Sequence, residues 1–134
     1  MRKVTYFAVF EPSNEGAFGV YFPDLPGCVS MGDNFQHSQS MAEEALGLHL
    51  WGMEKEGESI PSPTQPKFND IPEGSVVVAI TVFPDIVKNE MDNRAIKTNI
   101  TLPAWLKELA EKQGVNFSQI TQAALKEYLG VEKH

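Results

Sequence analysis

Cysteine is nearly absent from this chain of 134 residues. Cys28 stands alone, so no internal disulfide can form, in keeping with a reducing compartment. No apolar run is long enough to cross a bilayer. The N-terminus, MRKVTYFAVFEPSNEG, starts basic, but its apolar run is short and no small-residue cleavage site follows, so it is expected to be a strand and not a signal peptide. Together these absences predict a cytoplasmic protein with no membrane partner. Metal-ligand spacing is missing too: His37 and His49 lie twelve residues apart on one predicted helix and do not make an i, i+4 pair, which leaves them as core or solvated histidines. His134 is terminal and uninformative, and no cofactor or metal is expected. Basic residues are the scarcer sign, 11 against 18 acidic, and the net charge of −7 argues against nucleic acid as a partner of the whole chain.

That average hides an asymmetry. Up to Asn93 there are five basic and fourteen acidic residues, net −9; from Arg94 onward there are six and four, net +2. An acidic body with a mildly basic tail suggests two jobs. At 42% hydrophobic, the chain has enough apolar material for one ordinary domain or two small ones.

The first part reads as strands: VTYFAVF, AFGVYFP and CVSM are apolar runs separated by the turn clusters PSNEG and DLPG, which predicts an antiparallel meander. From Phe35 the period becomes helical, with Asp33 or Asn34 able to cap the start and Gly57 placed to end it. IPSPTQPKFNDIPEG is proline-rich and expected to be extended. SVVVAITVF is a continuous β-branched run, the pattern of a strand covered on both faces. The expected order is therefore β-β-β-α-β over residues 1–85. PDIVKNEMDNRA then reads as a linker or a short helix with a hinge, with the linker proper at 86–93.

In KTNITLP the residues alternate, with Ile96, Thr98, Ile100 and Leu102 on one face and Lys97, Asn99 and Thr101 on the other. Pro103 suits the first turn of a helix, AWLKELAEKQ; Gly114 stops it, and Asn116 with Gln119 makes a capping-box-like start for FSQITQAALKEYL. A strand and two helices in about 40 residues form too small a core to stand alone. The economical solution is that the strand pairs antiparallel with the same strand of a second chain. This order, over Arg94 to Val131, resembles the ribbon-helix-helix DNA-binding domain of the Arc and MetJ class. The resemblance implies a homodimer on operator double-stranded DNA, with the ribbon in the major groove, and leaves open whether dimers pair into tetramers. Carried over, Lys97, Asn99 and Thr101 would read bases, and the helix start at Asn116, Phe117 and Ser118 would meet a phosphate.

YFPDLPGCVSMGDNF carries a second resemblance. With MAEEAL on the helix and the proline-rich exit SIPSPTQ, it looks like the HicB antitoxin family. That likeness implies an α+β protein: a degenerate RNase H-like β-β-β-α-β domain at 1–85 that binds and masks HicA, a small basic toxin that cleaves mRNA, and a repressor domain at 94–134 acting on the shared operon. Acidic positions near the turn and helix, Asp24, Asp33, Glu43 and Glu44, are candidate toxin contacts, and Cys28 is expected in the core. An enzyme is not expected. RNase H-like folds can carry clustered carboxylates, and Glu11, Glu44 and Asp85 are the nearest candidates, but VTYFAVF holds no acid within the strand and Glu11 sits too far out to converge with the others. The alternative from another class is a stand-alone ribbon-helix-helix regulator whose first domain senses a small ligand.

Overall fold

The computed structural model describes residues 1–131, so His134 and the end of the segment expected at 94–134 lie outside the described residues. The chain forms two units, Met1–Asp92 and Asn93–His134. In the first, the expected order appears as β1 (Val4–Pro12), β2 (Phe18–Tyr21), β3 (Val29–Gly32), α1 (Phe35–Lys55) and β4 (Val76–Val82). Each neighbouring pair is antiparallel, and the strands lie in the order β3-β2-β1-β4.

Register decides which residues share a face. Val9 stands opposite Tyr21 and Val77, Glu11 opposite Gly19, and Gly19 opposite Met31. Side chains alternate along each strand, so even-numbered residues form one face and odd-numbered residues the other. The even face is the core: Tyr6, Ala8, Phe10, Val20, Ile80 and Val82 are buried with Ala42, Leu46 and Leu50 of α1. Phe10, Phe18 and Phe35 meet with ring centroids 5.3 to 6.2 Å apart and close the end of this layer, where the tilted and edge-on arrangements suit the ring quadrupoles.

α1 starts at Asn34, whose Oδ1 accepts the His37 amide at 2.8 Å. It ends in a Schellman turn at Gly57, φ +70°, with the Glu58 amide donating to the Met53 carbonyl at 2.9 Å. The proline-rich stretch then returns to β4 without a helix except for a short 3-10 turn at Phe68–Asp70.

One expectation needs correction. β4 is not covered on both faces: it is an edge strand, with Ile80 and Val82 buried while Val76 and Ala79 are exposed. A β-branched run fits a strand under two layers or one whose second face is simply apolar, and periodicity does not separate the two. For the stretch 86–93, expected as a linker or a short helix with a hinge, the structure has the helix as far as Asp92. This stretch forms the body of α2 (Pro84–Asp92), which belongs to the first unit. Val87 of α2 lies so close to Gly47 of α1 that a methyl group there would sit 3.0 Å from it.

The second unit holds α3 (Ala104–Lys112) and α4 (Phe117–Leu129). Gly114, φ +66°, ends α3 in a second Schellman turn, the Val115 amide donating to the Ala110 carbonyl at 3.2 Å. Asn116 caps α4, its Oδ1 accepting the Gln119 amide at 3.0 Å.

Candidate functional site

The second unit has a deficit that only packing can fill. Neither α3 nor α4 contains a buried residue. Ile96, Ile100, Trp105, Leu109, Ile120, Leu125 and Leu129 are all exposed. Residues 94–103 pair with no strand among the described residues. Lys97, Asn99 and Thr101 are exposed on this stretch, and Lys97 carries its charge into solvent. Asn116, Phe117 and Ser118 stand at the start of α4; Asn116 takes one first-turn amide through its side chain, and the amides of Phe117 and Ser118 belong to the group that helix geometry leaves without an intrahelical acceptor. A negative group is favoured at such an end.

The four acidic candidates of the first unit have different surroundings. Asp24 lies in the turn PDLPG, where the Leu25 amide donates to the Phe22 carbonyl and the Cys28 amide to the Leu25 carbonyl, each at 3.0 Å. These reversals push Leu25 into the core at 1% exposure. The Asp24 carboxylate does not bond the turn; it accepts the Thr64 amide at 2.7 Å and the Thr64 hydroxyl at 2.5 Å. Beside it, the Tyr6 hydroxyl donates to the Pro61 carbonyl. Burial and the Asp24 charge push the Tyr6 hydroxyl's pKa above its usual value. Tyr6 and Asp24 thus clasp the proline-rich strap.

Asp33 presents an exposed carboxylate at the entry to α1, its side chain 94% exposed and its Oδ2 3.8 Å from His37 Nδ1. The Asp33 amide donates to His37 Nδ1 at 3.0 Å, so His37 serves as a partner at the helix entry. Glu43 and Glu44 are exposed on α1. His49 is half-buried under the Gly27 turn. The Cys28 thiol is pushed up to about 11 by burial, as suits a small core residue and not a nucleophile.

The carboxylates weighed for a nuclease do not converge. Glu11 pairs across from Gly19 at one end of β1, whereas Asp85 follows Val82, which pairs with Val4 at the other. Seven residues of strand separate the two ends by roughly 23 Å. Asp85 is also engaged: Arg2 gives it a backbone amide at 3.1 Å and its Nε at 3.0 Å, and these hold the carboxyl below its usual range. Arg2 reaches Glu54 at 2.8 Å as well, tying the N-terminus, α1 and α2 together. Among the described residues no group of His, Cys, Asp and Glu could hold a metal ion, and no helix is long and apolar enough to cross a membrane.

Sequence reasoning passed over the odd-numbered face of the sheet. Val29 and Met31 of β3 are 65% and 71% exposed, Ala79 is exposed, and Phe7, Tyr21 and Val77 are half-buried. Val9 is fully covered yet stands outside the core cluster. The signal was present in VTYFAVF, where both alternating sets are apolar, so a strand buried on one face still shows hydrophobic groups on the other.

An acidic sheet-and-helix unit with exposed apolar side chains on its second face is joined to a two-helix unit in which neither helix buries a residue. The family model described as the HicB-like antitoxin of bacterial toxin-antitoxin systems matches residues 6–123. The chain belongs to the HicB-like antitoxin family. Among curated relatives, it is 32% identical over 108 residues to an uncharacterized 14.9 kDa protein from the rep-hol intergenic region of Haemophilus phage HP1, covering 75% of this chain and 74% of that one. It is 28% identical over 100 residues to Antitoxin HicB 1 of Photorhabdus laumondii, covering 70% of this chain and 64% of that antitoxin. Its mixed α+β architecture matches the crystal structure of antitoxin HicB3 with a TM-score of 0.50 and 27% identity, over 97% of this chain and 100% of that one. A toxin-antitoxin complex from Streptococcus pneumoniae shares the fold at a TM-score of 0.58 and 22% identity, over 95% and 99% of the two chains.

Proposed function

We propose that this antitoxin acts through both of its units: the first, read as a degenerate RNase H-like domain, binds and masks a HicA-type mRNA-cleaving toxin in the cytoplasm, and the second forms a ribbon-helix-helix dimer that represses the operon. The observation that carries the second half is the absence of any buried residue in α3 and α4 beside so many exposed apolar side chains. Burial of each such side chain is worth about 1.5–3 kcal/mol when complete, and a second copy offers matching groups. Pairing of residues 97–102 with the same residues of that copy fills the backbone hydrogen bonds of an otherwise unpaired strand.

On the ribbon, Lys97, Asn99 and Thr101 face the major groove: lysine donates to guanine O6 and N7, asparagine bonds adenine bidentately, and threonine offers its hydroxyl or methyl. Asn116, Phe117 and Ser118 orient the complex by holding a backbone phosphate. The local net charge of +2 lets this unit approach DNA while the body, at −9, repels it. For the toxin, Asp33, Glu43 and Glu44 present exposed carboxylates, whereas Asp24 contributes chiefly by holding the strap.

Co-expression supplies the test. The reading frame beside this chain's gene is expected to encode a HicA-type toxin whose growth arrest the full chain relieves, and the purified chain should shift DNA from its own promoter. Growth arrest that persists with the chain present in excess contradicts the masking role; a promoter fragment bound no better than unrelated DNA contradicts the repressor role.

A further inference from the structure

We infer that the open, odd-numbered face of the sheet is the seat of the toxin, taking an apolar segment bordered by an arginine or lysine that pairs with Glu11 and Asp33. This rests on the reading of the first unit as toxin-binding and says where on that unit the partner sits.

Three observations converge there. First, the face is largely apolar and partly open: Val29, Met31 and Ala79 are exposed, and Phe7, Tyr21 and Val77 are half-buried around a covered Val9, with the Thr5–Thr81 hydroxyl pair at one end. Four strands of this length span roughly 300 Å², the scale of the largest apolar patch on an ordinary monomer, which is often functional. Second, the patch runs to an edge that lacks the usual protection. β3, Val-Ser-Met-Gly, has no charge and no proline along its outer side, so its backbone groups are open to an added strand. Third, acid stands at the border. A hollow of about 260 Å³ is lined by Glu11, Phe18, Gly19, Met31 and Asp33, a volume below the range of small-molecule sites and suited to one long side chain. Glu11 belongs to the same surface as Tyr21, whose hydroxyl is pushed up by burial and then by the Glu11 charge.

Charge selects the occupant. A second copy laid on this face would bring another unit of net −9 against the first, which is repulsive, while a basic partner is steered toward it and completes the carboxylates. The solvent side of α1 is a poorer match, because Lys55 sits there with its ammonium 5.0 Å from the centre of the Trp51 ring.

The test is the affinity of the full chain for the toxin encoded beside it, titrated at low and moderate salt. Met31→Lys, at a position 71% exposed, should keep the wild-type melting point and weaken binding at least about tenfold by placing a like charge against the basic partner; Val29→Lys, two residues along the same strand, should do the same. Glu11→Gln with Asp33→Asn should slow association several-fold and flatten its salt dependence, the behaviour of border charges. Wild-type affinity in all these variants, with a loss in Glu43→Gln and Glu44→Gln instead, would place the toxin on α1 and overturn the inference alone. A changed self-association without changed toxin binding would make the face a contact between copies and also overturn it. No binding by the wild-type chain overturns the antitoxin reading, and this inference with it.

Discussion

Gly32 is the glycine of the first unit with least room for a side chain, and adding one methyl group there tests how β3 and α1 fit. A Cβ on Gly32 would lie 2.5 Å from the amide nitrogen, the Cα and the hydroxyl of Ser38, where ordinary contacts begin at 3.4 Å. Two of these atoms are helix backbone, so relief demands moving the first turn of α1 off β3 by about 1 Å. Ser38 is fully buried and its hydroxyl donates to the Asn34 carbonyl at 2.7 Å, so the turn is held from the other side too. Overpacking of this kind costs about 1–3 kcal/mol, and the lower chain entropy of alanine in the unfolded state returns roughly 0.4–1 kcal/mol. Because two of the clashing atoms are backbone, the upper part of the overpacking range applies, about 2–3 kcal/mol, and the net loss of about 1–2.6 kcal/mol corresponds to a melting point lower by roughly 5–20 °C for a unit of this size. Gly52→Ala provides the contrast: nothing lies within 4 Å of its Cβ, and in a helix interior alanine is better by about 0.8–1 kcal/mol. Thermal unfolding followed by near-ultraviolet circular dichroism reads both. If Gly32→Ala melts at or above the wild type, the close approach of β3 and α1 does not exist as described.

Three further outcomes are expected. Ile100→Ala should weaken dimerisation by roughly 2–4 kcal/mol, since two half-exposed isoleucines lose their burial at once, and sedimentation over a dilution series should show dissociation about 30-fold to 1,000-fold more readily; a dimer as tight as the wild type would sink the ribbon pairing. Asn99→Ala should reduce operator affinity by on the order of 1–3 kcal/mol while leaving non-specific binding nearly intact, and equal losses in both would assign Asn99 to the DNA backbone. Asp24→Ala removes both acceptors of Thr64, so limited proteolysis should cut the strap between Glu58 and Ser75 several-fold faster with little change in melting point; an unchanged cleavage rate would mean that the Tyr6 contact alone holds it.

Local rules carried much of the architecture. The order β-β-β-α-β, the Asn34 and Asn116 caps and the stops at Gly57 and Gly114 all follow from neighbours in sequence, because caps and turns are decided within four or five residues. Features that depend on partners far along the chain were not legible in this way. The Asp24 clasp joins residues forty positions apart, and a carboxylate in a turn is equally able to bond its own amides. Whether VVVAITV lies under one layer or two depends on what packs above it. PDIVKNEMD is polar enough to leave a linker and a short helix both open, and Val87 against Gly47 and Asp85 with Arg2 seat it as the helix. The open face was hidden for the same reason: apolar residues are the expected occupants of a strand, and only the register reveals which of them have nothing above them.

Direct masking is the proposed way in which this chain neutralises its toxin. The most direct measurement is a titration of RNA cleavage by the purified HicA-type toxin against increasing full-length chain. Cleavage should fall linearly and reach zero at a fixed stoichiometry, with the Met31→Lys variant needing a large excess. Full cleavage at saturating wild-type chain, with the chain folded and dimeric, would contradict the account.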